Sequence, residues 1–371
     1  MKGEGTVIEG KDLRVRRGGA LILDVPHLAV REGEVLSVVG PNGAGKTTLL
    51  QTLALLVAPF EGDLLFRGRM VGTDLAPLSF RRCLAMAFQE PLLFDTSVFE
   101  NVASGLKIRG LGKGEVAATV MEYLRLFGIA HLSDRSARSL SGGEAQRTSL
   151  ARAFATRPEV ILLDEPFASL DPGSREPLID DVQAVLKRMR ATAVFVTHDL
   201  MEALRLADRM AVMGSGRILQ VDAPGEVMNS PADEFVASFV GVGTILTGRV
   251  AKKAGDTFTV AIGDREIESA GDLPEGETVS LYIRPEHVTI SEDSEFAEAL
   301  AAHTSARNVF PAIVKRVAAL GYYEKVVLDC GFPLVSYVTR QSRGALNLRE
   351  GAHVTASFKA TAVHVIRKGR E

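Results

Sequence analysis

The feature that most constrains the fold of this chain is a glycine-rich loop directly after a short apolar segment. Residues 35–39 read Val-Leu-Ser-Val-Val, which predicts a buried strand. Residues 40–47 then match the pattern G-x-x-x-x-G-K-[ST]. In such a loop several backbone N–H groups face one anion, and the following helix adds the positive end of its dipole. The sequence therefore predicts a phosphate-binding loop inside a strand–loop–helix unit.

The residue types in this loop predict how it holds a nucleotide. Lys46 brings a positive charge to the β- and γ-phosphates, and the Thr47 hydroxyl is a ligand for Mg²⁺, with Thr48 a weaker candidate. The rest of the predicted cradle comprises Asn42, Gly43, Ala44 and Gly45. The expected ligands are therefore a nucleoside triphosphate and Mg²⁺.

A second apolar segment ends in two carboxylates. Residues 160–163 precede Asp164 and Glu165. Successive residues of a strand point to opposite sides, so the two carboxylates can act differently. We expect Asp164 to hold Mg²⁺ and Glu165 to orient the attacking water. Together with the loop, this pattern is typical of ATPases and GTPases alike.

Residues 140–147, Leu-Ser-Gly-Gly-Glu-Ala-Gln-Arg, narrow the class, because they closely resemble the signature peptide of the ABC ATPases. Ser141, Gly142 and Gly143 at a helix start would form a second phosphate cradle. The resemblance implies a homodimer of cassettes packed head to tail. Each ATP would then lie between Lys46 of one chain and Ser141 of the other.

Three further segments follow in the order found in that family. The resemblance assigns Gln89 to sensing Mg²⁺ and the permease, residues 169–171 to the loop that crosses the dimer, and His198 to the γ-phosphate. It covers residues from about 6 to 240. The implied catalytic residues are Lys46, Gln89, Glu165 and His198, and the implied Mg²⁺ ligands are Thr47, Gln89 and Asp164.

One position departs from the family pattern. The family usually places an aromatic ring upstream of the phosphate loop to stack on adenine, and the matching position here holds Arg17. A guanidinium plane can also stack on a base. Arg17 is therefore expected to contact the nucleotide.

The chain changes character near residues 241–243. Apolar strands alternate with helices before this point, which predicts an α/β P-loop ABC ATPase domain over residues 1–240. Short strand patterns with Gly and Pro turns follow, which predict an all-β regulatory domain over residues 241–371. We expect two small OB-like barrels, at about 241–292 and 303–368, joined by an acidic linker over 291–302.

An internal repeat supports the two barrels. Leu273-x-x-Gly276-x-x-Val279 matches residues 348–354 at a constant offset of 75 residues, and the match continues to residues 290 and 365. The second copy also resembles the molybdate-binding module attached to molybdate or tungstate importer ATPases. That resemblance is carried by residues 304–308 and 358–361.

A tetrahedral dianion needs several hydrogen-bond donors at once. The second copy is therefore predicted to bind a regulatory oxyanion through Ser305, Arg307, Lys359 and Thr361. Binding of imported cargo at this module could hold the two chains apart and inhibit transport, which is a form of feedback.

Composition limits the partners. The net charge is only −3, which argues against a nucleic-acid partner. No apolar run approaches the roughly 20 residues of a membrane span, and residues 1–5 carry no signal-peptide pattern. We expect a peripheral protein at the cytoplasmic face of the cell membrane. Its expected partners are an integral-membrane permease dimer and, indirectly, an extracytoplasmic substrate-binding protein.

Three alternatives remain. The cargo could instead be sulfate, a sugar, a polyamine, iron or a phosphate ester. A non-transport ABC ATPase is disfavoured, because the chain has one motif set and only a short segment between Gln89 and Ser141. An oxyanion-sequestering protein with an inactive cassette is disfavoured by the intact Lys46, Glu165 and His198.

Overall fold

The computed structural model describes residues 5–241, 243–292 and 305–367, and it divides the chain into two compact units, 1–227 and 228–371. The second unit thus begins before the boundary predicted after residue 240. Helix Glu234–Phe239 belongs to it, and there the Glu234 carboxylate accepts a hydrogen bond from the Ser280 hydroxyl at 2.7 Å. Most of the predicted linker lies outside the described residues.

The first unit is α/β. Its strands are β1 Thr6–Arg17, β2 Ala20–Arg31, β3 Val35–Val39, β4 Glu61–Phe66, β5 Arg69–Met70, β6 Leu84–Ala87, β7 Val160–Asp164, β8 Thr192–Thr197, β9 Arg209–Gly214 and β10 Arg217–Asp222. Its helices are α1 Lys46–Leu53, α2 Pro77–Arg82, α3 Val98–Ile108, α4 Lys113–Leu126, α5 Gly142–Ala155, α6 Pro172–Met189 and α7 Leu200–Leu206, and α8 Pro224–Asn229 runs into the second unit. Short 3₁₀ turns occupy Ala130–Leu132 and Ala137–Ser139.

A six-stranded sheet in the order β10-β9-β3-β8-β7-β6 forms the centre of the first unit. All neighbours except β10 and β9 are parallel. Every residue of β3, β7 and β8 is buried, which explains their continuous apolar sequences. The carboxyl ends of these parallel strands therefore meet at one edge. An antiparallel sheet, β2-β1-β4-β5, shares an apolar core with this sheet.

The described part of the second unit is built mainly from strands. These are β11 Thr244–Ala254, β12 Thr257–Ile262, β13 Arg265–Ala270, β14 Thr278–Ile283, β15 Thr289–Glu292, β16 Asn308–Leu320, β17 Tyr323–Asp329, β18 Pro333–Thr339, β19 His353–Phe358 and β20 Val363–Arg367. Two helices, α9 Glu234–Phe239 and α10 Arg340–Ala345, and 3₁₀ turns at Pro285–His287 and Ala360–Ala362 complete it. The all-β prediction is thus confirmed for the region after residue 243.

The repeat is visible in the structure, but its two halves are interlocked. Strands β14 and β19 and the 3₁₀ turns after them recur at the predicted offset. The sheets run β13-β12-β11-β14-β20 and β15-β19-β16-β17-β18, so the last strand of each half completes the sheet of the other half. One hydrophobic cluster spans both halves. The two predicted barrel units are therefore interlocked through their last strands and share one hydrophobic core.

Hydrogen bonds from buried side chains connect the halves in a matched way. The Asn308 amide donates to the Glu268 carbonyl and accepts from the Glu268 N–H, both at 2.8 Å. At the corresponding place in the other half, the Thr244 hydroxyl accepts from the N–H of Val335 at 3.0 Å. Each contact ties the first strand of one half to an edge strand of the other.

Among the residues that the structure describes, no helix has the length and apolar character needed to cross a membrane.

We expect Asn308→Ala to lower the free energy of unfolding of the second unit by about 1–3 kcal/mol, because it removes a buried amide and leaves two part-buried backbone groups of β13 without partners. Chemical denaturation of the full-length protein measures the effect. Gln341→Ala, at an exposed helical position, is the control and should change the value by less than about 0.5 kcal/mol. Equal stability of the two variants would show that the hydrogen bonds between Asn308 and Glu268 do not stabilise the second unit.

Candidate functional site

The candidate site lies where the carboxyl ends of β3, β7 and β8 meet. In the parallel ladders Val39 pairs with Thr197, and Asp164 pairs with Val196. The residues that follow each strand are therefore brought together: the phosphate loop after β3, Glu165 after β7 and His198 after β8. Ligand sites of parallel α/β sheets commonly occupy this edge.

Glycines allow the phosphate loop to turn. Gly43 and Gly45 have φ angles of 82° and 99°, a region that favours glycine. A Cβ atom on Gly40 would lie 2.2 Å from the Met213 carbonyl oxygen, so only glycine fits there. Helix α1 begins at Lys46 directly after Gly45, and its N-terminus faces the loop. Ala44 is buried under the loop, whereas Asn42 and Gly43 are exposed.

Lys46 is buried beneath the loop with only 5% exposure. Its Nζ donates to the carbonyl oxygens of Gly40 at 2.9 Å and Pro41 at 3.1 Å, and it lies 3.8 Å from Glu165 Oε1. Burial lowers the pKa of Lys46, and the nearby carboxylates of Glu165 and Asp164 oppose this shift. The ammonium group is thus positioned by backbone oxygens and balanced by the two acids.

Thr47 and Asp164 form the pair expected to bind Mg²⁺. The Thr47 hydroxyl donates to Asp164 Oδ1 at 2.9 Å, although 117 residues separate them. Burial raises the pKa of Asp164, and the Thr47 hydrogen bond works in the opposite direction. A hydroxyl and a carboxylate side by side fit Mg²⁺, which is usually held by one or two protein oxygens together with phosphates and water. Thr48 lies half-buried in the first turn of α1.

Glu165 and His198 form a second pair. Glu165 has a φ of 43°, an uncommon conformation for a non-glycine residue, and its N–H donates to the Val196 carbonyl at 3.0 Å. This turn directs its carboxylate to two partners, since Oε2 lies 3.0 Å from His198 Nδ1 and Oε1 faces Lys46. The structure therefore places one carboxylate between Lys46 and His198, the two side chains predicted to contact the γ-phosphate.

The signature segment starts helix α5 through a capping box. The Ser141 hydroxyl accepts from the Glu144 N–H at 3.3 Å, and the Glu144 carboxylate accepts from the Ser141 N–H at 2.7 Å. Within one chain, helix α5 contacts the loop after β7, where the buried Gln146 amide donates a hydrogen bond to the Pro166 carbonyl at 2.8 Å. The position of the signature helix is thus coupled to the segment next to Glu165.

Two predicted residues lie on the surface of the first unit. Gln89 is exposed two residues beyond the end of β6, at the same edge as Asp164. Arg17 is exposed at the β1–β2 turn, where it pairs with Ala20. Its neighbour Arg16 lies over the Phe60 ring, with 4.7 Å between the guanidinium carbon and the ring centroid. Adenine stacking by Arg17 stays a prediction.

Several supporting residues escaped sequence reasoning. Gly216 donates its N–H to the Ala44 carbonyl at 2.9 Å and so braces the phosphate loop from the β9–β10 turn. Arg175 of α6 forms ion pairs with Asp199 at 3.2 Å and with the buried Glu202 at 2.8 Å, two acids that follow His198 in the sequence. Only the Gly216 turn had a sequence signal, the Gly-Ser-Gly run at residues 214–216.

Three of the four predicted oxyanion ligands line one cavity in the second unit. Ser305, Lys359 and Thr361 surround a space of about 510 Å³, together with Ser357 and His287. The fourth, Arg307, is exposed and is not among the lining residues. The cavity thus gathers hydroxyl donors and one ammonium group.

Comparisons with known proteins agree with both halves of the chain. The family model described as ABC transporter matches residues 23–168, and the one described as TOBE domain matches residues 304–365. A molybdate/tungstate import ATP-binding protein of Pyrococcus horikoshii is 40% identical over 91% of this chain and 93% of its own. A sulfate/thiosulfate import ATP-binding protein of Mycobacterium bovis is 36% identical over 96% of this chain and 93% of its own.

A solved structure is also similar. CbiO1 from Clostridium perfringens, part of an ABC transporter complex, superposes with a TM-score of 0.56 at 28% identity. The match covers 65% of this chain and 96% of that chain.

We expect Gly216→Ala to weaken nucleotide binding about tenfold, or ~1.4 kcal/mol. The new methyl carbon would lie 2.4 Å from the Ile22 carbonyl oxygen and would push the turn away from the phosphate loop. Gly68→Ala is the matched control, since Gly68 has a similar φ of 76° but no atom within 4 Å of the added carbon. Titration with a fluorescent ATP analogue measures both. Equal affinities would refute the bracing role of Gly216.

Proposed function

Because the chain belongs to the ATP-binding proteins of ABC importers, which are ATPases coupled to transport, we propose that its cargo is molybdate or tungstate. The observation that carries the proposal is the cavity lined by Ser305, Lys359 and Thr361, at positions predicted from sequence alone. The similarity to the Pyrococcus horikoshii protein over nearly the whole chain supports the same cargo.

The geometry supports a division of labour in ATP hydrolysis. The loop amides and Lys46 bind the phosphates, while Glu165 orients the attacking water and His198 holds the Glu165 carboxylate in place. Mg²⁺ held by Thr47 and Asp164, with Gln89 nearby at the same edge, would neutralise charge that develops on the phosphates. Lys46 and His198 also stabilise this charge.

The working unit is proposed to be a homodimer. The Ser141 hydroxyl, Gly142 and Gly143 at the start of α5 offer a phosphate cradle, while the phosphate loop of the same chain offers another. Each ATP would be shared between Lys46 of one subunit and Ser141 of the other. Closure is then driven by the preference of ATP for the closed dimer, and hydrolysis removes that preference.

A small apolar surface next to Gln89 supports contact with a permease. Leu92 and Phe94 are exposed by 58% and 57%. Arg152 of α5 holds this loop, because it donates to the carbonyls of Pro91 and Leu92 at 3.0 Å and lies over the Phe94 ring at 5.6 Å. Since α5 begins at Ser141, this contact links the signature helix to the surface. Docking there would place the chain at the cytoplasmic face of the membrane.

Regulation by the cargo is proposed to act through the second unit. Molybdate that binds at Lys359 would stabilise one arrangement of the dimer and so reduce ATP turnover, as feedback requires. A substrate-binding protein outside the membrane would be an indirect partner of the complex.

Sulfate is the second candidate cargo. The Mycobacterium bovis relative named for sulfate/thiosulfate import matches this chain over 96% of its length. Sulfate, molybdate and tungstate are all tetrahedral dianions, so their relative affinities for the cavity decide between them.

We expect Glu165→Gln to bind ATP and form a stable dimer while ATP turnover falls by 100-fold or more, since the amide cannot act as a base toward water. Adding Ser141→Arg to this variant should abolish the dimer, because the new side chain fills the shared cradle. Size-exclusion chromatography with ATP and a phosphate-release assay measure the two effects. A double variant that still dimerises would exclude the shared site.

We expect molybdate and tungstate to bind the full-length protein at least tenfold more tightly than sulfate, in isothermal titration. Lys359→Gln should weaken this binding at least tenfold, because it removes the ammonium group from the cavity. Lys325→Gln, on strand β17 and outside the lining residues, is the control. Tighter binding of sulfate would reassign the cargo, and unchanged binding in Lys359→Gln would remove the cavity from the proposal.

A further inference from the structure

A second cavity of the C-terminal unit, with a volume of about 290 Å³, lies at the end of β14. It is distinct from the Lys359 cavity described above. Its polar lining residues are Asn229, Tyr282, Arg284, His287, Thr361 and His364. The space would hold roughly ten water molecules, which is enough for a small polyatomic ion with part of its hydration shell.

The internal repeat relates the two cavities. A shift of 75 residues converts the principal side chains of one into those of the other, since Arg284 corresponds to Lys359 and Tyr282 to Ser357. The same shift exchanges His287 with Ala362, and these two residues line both cavities. The two cavities therefore occupy equivalent positions in the two copies of the repeat. One is lined by the Arg284 guanidinium and the other by the Lys359 ammonium group.

Arg284 is the principal charge of the new cavity. Its side chain is 16% exposed, and its Nη1 donates to Glu286 Oε1 at 3.3 Å. Its Nη2 is fully buried and has no hydrogen-bond partner among the described residues. A buried, charged N–H group without an acceptor is costly. An anion in the cavity would satisfy it.

His364 adds a second nitrogen ligand. It lies opposite Tyr282 in the β14–β20 ladder, with ring centroids 6.2 Å apart. Burial lowers the pKa of His364, the carbonyl of Pro231 opposes this shift as a hydrogen-bond acceptor, and the nearby Arg284 charge lowers it further. An anion beside Arg284 would reverse the last effect and raise this pKa.

The carboxylates near this cavity are engaged elsewhere. Glu286 is half-exposed and pairs with Arg284 Nη1, Glu234 accepts from the Ser280 hydroxyl, and Asp233 caps α9 through the Val236 N–H at 2.8 Å. None of the three is among the lining residues. The lining therefore presents a guanidinium, imidazoles, an amide and hydroxyls. Of the three acids, Glu286 contacts Arg284, and it does so through Nη1, which leaves Nη2 for a ligand.

We propose that this cavity is a second oxyanion site, which takes a small tetrahedral anion on the guanidinium of Arg284 through its unpartnered Nη2, with His364, His287 and Thr361 as further ligands. The guanidinium fork donates in fixed directions, whereas the Lys359 ammonium is a single point charge. The two sites of one chain therefore differ in their preference among oxyanions. The site shares Thr361 and His287 with the Lys359 cavity, but Arg284 and His364 line neither that cavity nor the ATP site, so variants of Arg284 test it apart from the cargo.

Isothermal titration of the full-length protein with phosphate, sulfate and molybdate tests the proposal. We expect Arg284→Gln to weaken the binding of at least one of these anions tenfold or more, at a site that Lys359→Gln leaves intact. Arg316→Gln, an exposed arginine of the same unit, is the matched control and should bind as wild type does. The comparison of the three anions identifies which one the site prefers.

A spectroscopic measurement locates the bound anion. In NMR titrations the pKa of His364 should rise when the preferred anion is present, and it should not rise in Arg284→Gln. If that variant fails to fold, Arg284→Lys keeps the charge but not the fork, and it should bind several-fold more weakly. The proposal is wrong if Lys359→Gln removes all anion binding, or if the folded Arg284 variants bind every anion as wild type does.

Discussion

The catalytic unit depends on the parallel alignment of its buried strands, and the hydrogen bond between Thr47 and Asp164 shows this dependence. Its two ends are 117 residues apart, and they meet because β3 and β7 are parallel strands on either side of β8. The same alignment places Glu165 between Lys46 and His198. The site cannot form on an isolated segment, since its residues are positioned by the ends of three buried strands, β3, β7 and β8. The geometry of the site therefore depends on the stability of the sheet.

From this site, polar contacts lead outward along α5. Gln146 connects the helix to the segment after Glu165, and Arg152 connects it to the exposed loop that carries Leu92 and Phe94. Arg175 connects α6 to the residues after His198. A change at the nucleotide thus has rigid elements and specific hydrogen bonds through which to reach the surface, which is the physical requirement for coupling two distant sites.

The sequence was informative where a local pattern has one physical meaning. The phosphate loop, the acidic end of β7 and the helix start at Ser141 are such patterns, and the repeat was found from its constant spacing. Residues that act at a distance were missed, because Gly216, Arg175 and Gln146 owe their roles to partners far away in the chain. The exchange of β15 and β20 between the halves was missed for the same reason. Alternation of apolar residues predicts a strand but does not say which sheet it joins.

That exchange has a consequence for the synthesis of the protein. Strand β20, at Val363–Arg367, completes the sheet that starts with β11 at residue 244. The open edge of the earlier half consequently stays unpaired until β20 has left the ribosome. The catalytic unit can fold earlier, as domains generally do during translation. A nascent chain would hence complete its ATPase unit first and its second unit only once β20 has emerged, so products truncated before β20 would carry an ATPase unit without a complete second unit.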